Sequence, residues 1–480
     1  VEIHLLHSND VHSHLENHMK LGHSLRQLRD TLRGAGHAVL TFDIGDAIDR
    51  VRPETEATMG EINAAMMAAL GYDGWVFGNN EGLTIPYAHW QTLRERAETT
   101  VFGTNLRSAG APIPGFVDWK VFTFGDVRVG VFGVTARYDK PYEHLAVTAL
   151  PPFPQASQAV AALRAQGCHV IVALSHLGIW DDRKMAAAVP GIDVILGGHS
   201  HTWMEGPEFI GNTAVFQVGL HGQAFGHTIL KLHPHTRRVT GVAARTIPTE
   251  THQPLDTAML SAYRGYLPAV RRRLSDAVTR LARPLPVWFE EESPFANLLA
   301  DALLTAFPCD GAIMMAGALN ASLLAGIITR GDVLAACSTP TRPLLMNLRG
   351  EDLWEIVAKS LQREYFAARG KGFGFRGSLV GRLALSGLRA TLTQAETGMR
   401  ASRNEYALSA LSIGGQPVVP EAVYRIVTCE YLWLSPLYPE FRRGWDIDIR
   451  PLLVREVLTD HLRNGVCVAG AYERRYHVIS

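Results

Sequence analysis

Ile3-His4-Leu5-Leu6-His7, followed at once by Ser8-Asn9-Asp10-Val11-His12, is the stretch that decides the fold. A short β-rich run reads as a core strand, and the polar cluster behind it marks the carboxyl end of that strand. The same pattern recurs through the first half of the chain. Residues 39–42, 101–104, 129–134, 170–174 and 194–196 read as further core strands, with amphipathic stretches at 24–33, 56–70 and 87–98 as helices between them. Asp43-Ile44-Gly45-Asp46 closes the second strand, and Ser175-His176 closes a later one. Alternating β and α elements predict a layered α/β architecture. In α/β sheets, sites are built on the loops at the carboxyl ends of the strands.

The chain has 480 residues, about three times the ~150 of a typical domain, so two or three domains are expected. Near 255–285 the pattern changes to a long charged helix carrying Arg271-Arg272-Arg273, with Pro284 and Pro286 behind it. The arginine run reads as a solvated helix face. We therefore divide the chain into a first domain at 1–254, a linker helix at 255–285 and a second domain at 286–480. The second domain mixes expected helices at 295–307 and 351–364 with β-rich segments at 378–386 and 423–428, again an α/β pattern. Histidine is skewed between the halves: of the 20 in the chain, 18 lie within residues 1–252. Two halves with different chemical roles would produce such a skew.

Composition narrows the function classes. Hydrophobic residues make up 47% and charged residues 19%, enough apolar surface for sizeable cores and too little charge for a disordered chain. Lys+Arg and Asp+Glu both count 46, which argues against a whole-protein grip on nucleic acid or anionic lipid. Five widely spaced cysteines (Cys168, Cys309, Cys337, Cys429 and Cys467) form no CxxC pair. Reduced thiols in a cytoplasmic protein are expected from that pattern. Val rather than Met stands first, which leaves room for a removed signal peptide. The long uncharged stretch at 311–328 contains Gly311, Gly317, Gly326, Asn320 and Ser322. It reads as a buried strand, a turn and the start of a helix, so no membrane partner is expected.

Five polar clusters in the first half carry the chemistry: Asn9-Asp10-Val11-His12, Asp43-Ile44-Gly45-Asp46, Gly78-Asn79-Asn80-Glu81, Ser175-His176 and Gly197-Gly198-His199-Ser200-His201. Asp-x-His puts two donors on one side of an extended segment, and His199 and His201 repeat the spacing. Imidazole and carboxylate donors without thiolate suit zinc, manganese, iron or cobalt, and more than four such donors point to two divalent ions.

In this order and at these spacings, the clusters resemble the calcineurin-like metallophosphoesterases, and among them the 5′-nucleotidase family. The resemblance is strong over 1–225 and loose beyond 285. It implies an N-terminal layered α/β/β/α dimetal domain and a C-terminal α/β substrate domain. It further implies that Asp10, His12, Asp46 and His201 hold one ion, and that Asp46 bridges to a second ion held with Asn79, His176 and His199. Asn9 looks like an orienting residue, and Asp43 either an orienter or a turn-capping carboxylate. The activity implied is hydrolysis of phosphate esters or anhydrides of nucleotides by attack of a dimetal-bound hydroxide.

The chain departs from that family at the third cluster, where a Gly-Asn-His-Glu followed two residues later by Asp is expected. Asn80 stands in place of the His and Leu83 in place of the Asp, a form that a shorter bacterial branch shares. Asn80 can donate a hydrogen bond to a phosphoryl oxygen but cannot deliver a proton. His14 is the nearest alternative donor. In the second domain the family's phosphate-binding Arg motif reads Met315-Ala316-Gly317-Ala318-Leu319-Asn320, which leaves Asn320 as the polar residue. Its aromatic clamp maps to Tyr431, with Phe373 or Phe375 and Arg376 in Gly372-Phe373-Gly374-Phe375-Arg376-Gly377. That loop matches GxGxxG by accident, since no strand–turn–helix unit frames it. The substrate expected is a small phosphorylated molecule, foremost a nucleotide. The alternatives are non-nucleotide phosphoesters, or metal or nucleotide binding without catalysis.

Overall fold

A computed structural model describes residues 2–372, 375–394, 406–465 and 468–479. The chain divides into two compact units, Val1–Val270 and Arg271–Ser480.

In the first unit, strand β1 (Glu2–Ser8) runs parallel to β2 (Ala38–Asp43) with Ser8 beside Asp43. Helix α1 (Leu15–Gly34) connects them. It begins before the expected 24–33 because its buried stripe continues backwards through Gly22, Met19 and Leu15, the i, i+3, i+4 spacing of one helix face. Parallel pairing has a direct consequence: the polar clusters that end β1 and β2 emerge side by side.

β1 and β2 lie in a six-stranded sheet, in the order Val239–Pro248, Ala224–Leu232, β1, β2, Gly74–Val76, Thr100–Phe102. A second six-stranded sheet has the order Glu208–Ile210, Thr213–Phe216, Val194–Gly197, Val170–His176, Val127–Thr135, Trp119–Phe124. Period-2 alternation sorts the side chains between layers. Ile3, Leu5, Leu40 and Phe42 of the first sheet pack against Val129, Val131, Val172 and Leu196 of the second. Leu6, Val39 and Trp75 face the other way, onto Leu21, Leu25 and Met67 of the helices. Phe132, Ile171, Ala173 and Ile195 do the same under Ala159, Leu163 and Met185. The layers are α/β/β/α.

Three stretches differ from their expected form. The helix expected over 56–70 is two helices, Pro53–Thr58 and Glu61–Leu70, because Met59 and Gly60 both take left-handed φ angles of 49° and 84°. Of the 255–285 stretch, Thr257–Leu274 is helix while Ala277–Leu281 is a strand paired with Gly326–Thr329. Within 311–328, strand Gly311–Met315 and a 3-10 turn at Ala316–Ala318 lead into that Gly326–Thr329 strand, and helix begins only at Arg330. The signal lost there is the capping box at Thr329 and Asp332, which starts the helix later than the apolar run suggests.

The second unit is built on a five-stranded mixed sheet in the order Leu383–Ser386, Gly311–Met315, Val423–Cys429, Pro343–Arg349, Trp445–Ile449. Helix Pro294–Ala306 packs on it, and its apolar side chains Phe295, Leu299 and Leu303 enter one core with Ile313, Met315 and Val427.

The two sheets of the first unit approach closely at Gly133. A Cβ there would come within 2.5 Å of Val76 Cγ2 and 2.6 Å of Phe102 Cβ. Overpacking of a filled core costs about 1–3 kcal/mol. Gly133→Val should therefore lower the unfolding free energy by about that amount, read from the midpoint of a urea titration.

Candidate metal centre

The carboxyl ends of both sheets contribute to one cluster of the first unit. Behind β1 come Asn9, Asp10 and His12, and behind β2 comes Asp46. Strand Val170–His176 ends in His176 and lies parallel to Val194–Gly197, with Ser175 beside Gly197. His199 and His201 follow that neighbouring strand. Two ligand groups result, Asp10–His12–His201 and Asp46–His176–His199, each with its donor atoms within 4.8 Å of one another. Asp46 Oδ2 is near both, 3.4 Å from His176 Nε2 and 3.9 Å from His12 Nε2. His201 Nε2 lies 3.5 Å from Asp10 Oδ1 and 3.1 Å from His12 Nε2.

The backbone is bent to reach this arrangement. Asp10, His12, Ser13, Asp46, His199, His201 and His221 all take φ between 47° and 73°, the left-handed region that costs a non-glycine residue about 1–2 kcal/mol. Backbone hydrogen bonds hold them there: Asp10 N donates to Gly45 O at 2.9 Å, His12 N to Asp46 O at 2.8 Å, and His221 N to Asp10 O at 2.7 Å. Strain of this kind persists only where surrounding structure enforces it, and it gathers at functional sites. Glycines clear the remaining space. A Cβ on Gly78 would run into the Asp46 carboxylate, and one on Gly198 would sit 3.1 Å from both Asp10 Oδ2 and His176 Nδ1.

Other side chains orient the ligands. His176 Nδ1 donates to the Ile44 carbonyl at 2.7 Å, which turns its Nε2 toward Asp46. Asn9 Nδ2 donates to Asp10 Oδ2 at 2.7 Å, and Asp43 accepts from Ser8 Oγ at 2.6 Å and Gly45 N at 3.0 Å. Asp43 thus supports the loop that presents Asp46. Three contributors carry no motif of their own in the sequence. Asp49 Oδ2 lies 3.6 Å from His12 Nδ1. Glu81, quoted above only within its cluster, accepts from the backbone N–H groups of Asp46, Ile48 and Gly78 at 2.8–2.9 Å. His221 stacks on His14 at 3.7 Å between centroids.

The donor set fits divalent cations. Asn79 Oδ1 and His176 Nε2 are buried and have no hydrogen-bond partner, an arrangement that is costly unless something else satisfies them. The electrostatics agree. Burial opposes a charged imidazole, yet Asp49, Asp46 and Asp10 together raise His12 to about 9, and Asp46 and Asp10 raise His176 to about 10. Burial would push the Asp46 carboxyl up, but His176 and His12 hold it well below its ordinary value. Protons here occupy the role of a cation. Glu81 behaves oppositely, pushed up to about 8 by burial and by Asp46.

The two expected catalytic residues, Asn80 and His14, take different places. The Asn80 amide donates to Asp46 Oδ2 at 3.2 Å and lies 3.0 Å from His12 Nδ1, while Asn80 N donates to Asp46 Oδ1 at 2.8 Å. His14 directs Nδ1 at the carbonyls of Val11 and His12, both at 3.1 Å.

In the second unit, Asn320 Nδ2 donates to Ser338 Oγ at 2.7 Å and to the Arg376 carbonyl at 3.3 Å. Phe375 and Tyr431 meet with centroids 4.8 Å apart, and the Tyr431 hydroxyl accepts from Lys371 N at 3.1 Å. Direct ring contact leaves no gap for a base between these two aromatics in this arrangement. Phe373 lies outside the described residues.

Comparison with known proteins agrees with this geometry. The calcineurin-like phosphoesterase family matches residues 3–203, and the 5′-nucleotidase C-terminal domain matches residues 278–435. An uncharacterised metallophosphoesterase of Bacillus subtilis, YunD, is 29% identical over 461 residues, covering 95% of this chain and 98% of that protein. The 5′-nucleotidase of Bos taurus is 30% identical over 238 residues, covering 42% of this chain but only 38% of its own length. The NAD nucleotidase of Haemophilus influenzae shares the fold over all of both chains, with a TM-score of 0.71 at 16% identity. The chain belongs to the calcineurin-like metallophosphoesterases of the two-domain 5′-nucleotidase type and is a metal-dependent phosphoester hydrolase.

Removing Asp46 should therefore disable the centre. Asp46→Ala is expected to release at least one ion, counted by plasma mass spectrometry, and to abolish turnover of p-nitrophenyl phosphate. Asp49→Asn should keep the fold and cost about 10–100-fold in metal affinity or rate, measured by metal titration beside kinetics.

Proposed function

We propose that the substrate class is nucleotides, and that the hydrolase cleaves their phosphate esters or anhydrides with a centre of two divalent ions. The observation that carries this reading is the position of Asp46 Oδ2 within 4 Å of imidazoles from both ligand groups. Its support on the substrate side is the match to a 5′-nucleotidase C-terminal domain. Asp10, His12 and His201 would hold one ion and Asn79, His176 and His199 the other, with Asp46 shared. When bound, such ions supply Lewis acidity that activates water and offsets charge on the phosphoryl group. The strained loops hold the ligand side chains in place beforehand, so little reorganisation accompanies the reaction. The same reading puts the enzyme in the cytoplasm, supported by Cys168, Cys309, Cys337 and Cys429, which form no disulfide among the described residues.

Asn80 has two tasks in this reading. It fixes Asp46 and His12 through its amide, and it offers no proton to a leaving group. General acid assistance is worth about 10²–10⁴ in rate, most of it where the departing group is a poorly stabilised alkoxide. A phosphate leaving an anhydride, or a nitrophenolate, departs without that help. Substrates with such leaving groups should be preferred. A second reading, non-nucleotide phosphoesters, draws on the Phe375–Tyr431 contact, which occupies ring faces that a base would use.

A phosphate-release screen with added Mn²⁺ over mono-, di- and cyclic nucleotides, sugar phosphates and dinucleotides tests the substrate class. ADP and p-nitrophenyl phosphate are expected to exceed AMP in kcat/KM. His14→Ala should lower AMP hydrolysis more than ADP hydrolysis if His14 supplies the missing proton. AMP as the best substrate, untouched by His14→Ala, would overturn the leaving-group argument.

A further inference from the structure

A second group of imidazole and carboxylate donors sits at the other end of β1. Glu2 and His4 on β1 and His37, which directly precedes β2, bring one ligand atom each to within 4.8 Å of one another. From His4 to Asp10 the chain advances six residues, roughly 20 Å at about 3.3 Å per residue, so this cluster is remote from the centre described above.

His4 is the telling residue. It is 3% exposed, and its Nε2 has no hydrogen-bond partner while lying 3.9 Å from Glu2 Oε2. Its other ring nitrogen, Nδ1, is 2.9 Å from Nε2 of His227 on the neighbouring strand Ala224–Leu232. With Nδ1–H donated to His227, the Nε2 lone pair points at the cluster. Metal-binding histidines are commonly held this way, one nitrogen on the metal and the other donating to a fixed acceptor. His37 meets the His4 ring edge-on at 4.7 Å between centroids.

We propose that Glu2, His4 and His37 form a separate site for one borderline divalent cation, zinc by its donor chemistry. Two imidazoles and a carboxylate are an accepted zinc set that leaves one coordination position open. Glu2 and His37 also line a groove walled by Arg33, Asp73, Phe122 and Phe124. The arginine is turned toward a carboxylate, with Arg33 Nη2 3.7 Å from Asp73 Oδ2. A bound ion would tie the start of β1 to the loop before β2, at the end of these strands opposite the phosphoesterase centre. Such an ion would add to the hold between two strands whose far ends carry Asp10 and Asp46.

The test compares the full chain with Glu2→Gln and His37→Ala, both at partly exposed positions. Each protein is equilibrated with zinc, freed of excess by gel filtration, and its zinc per chain counted. In parallel, zinc-soaked crystals of the unsubstituted protein are measured at the zinc absorption edge. The expected result is one zinc more per chain in the unsubstituted protein than in either variant, with an anomalous peak among Glu2, His4 and His37. Equal zinc content in all three proteins, or no peak at that position, overturns the proposal. Both substitutions leave Asp10, Asp46 and their partners untouched, so failure here says nothing against the phosphoesterase centre.

Discussion

A buried carboxylate, Asp46, is the group around which the first unit's site is organised. It is 2% exposed, and an anion in such surroundings is tolerated only if positive charge and hydrogen bonds surround it. Each neighbour meets part of that demand. The backbone N–H and amide of Asn80 donate to its oxygens, His176 faces it at 3.4 Å, and its own N–H is held by Glu81. Glu81 accepts three backbone N–H bonds, which favour its anion, yet burial and then the nearby Asp46 push its carboxyl upward. The chain around Asp46 is folded so that one negative charge sits where two groups of ligands can share it. Most of the local strain follows from that placement.

The parallel pairing of β1 with β2, and of Val170–His176 with Val194–Gly197, turns this electrostatic demand into geometry. Parallel strands in register end together. Polar residues placed just past their last core residue therefore converge with no contribution from side-chain flexibility. The core behind them is dry and two-sided, with Leu5, Phe42, Val172 and Leu196 packed between the sheets, so the strand ends are fixed to the precision of the packed sheets. Donors carried on such ends need only short, bent loops to reach one another, and the left-handed φ angles of Asp10, His12, Asp46, His199 and His201 are those bends.

This explains what was legible in the sequence. Asp10, His12, Asp46, His176, His199 and His201 could be picked out because each follows an apolar run whose period and ending mark a strand terminus, and the layered architecture was readable from the same runs. Asp49 and His221 were not, because their roles depend on loops folding back across 37 residues to His12 and across 207 residues to His14, with no periodic signature. Helix breaks were missed for a local reason. At Met59-Gly60 a residue other than glycine shares the left-handed turn, and only the glycine advertises it. The second unit was hardest to read, because the residues expected to bind substrate there, Asn320 and Arg376, are joined by a contact to backbone, Asn320 Nδ2 to the Arg376 carbonyl, that side-chain identity does not encode.

The paired change at Asn80 and Leu83 is best understood through packing. Leu83 is 1% exposed and shares its core with Phe77, Trp90 and Tyr142. A carboxylate at that position would be an uncompensated anion among aromatic side chains, so a histidine at 80 would lack its orienting partner. An imidazole there would also face Asp46 and His12 directly, and the field of Asp46 would raise its pKa and make it a weaker proton donor. The amide has neither difficulty. It donates to Asp46 and lies against His12 without titrating itself. Asparagine at 80 and leucine at 83 are thus one coherent solution: charge stabilisation is kept and proton delivery is given up at this position.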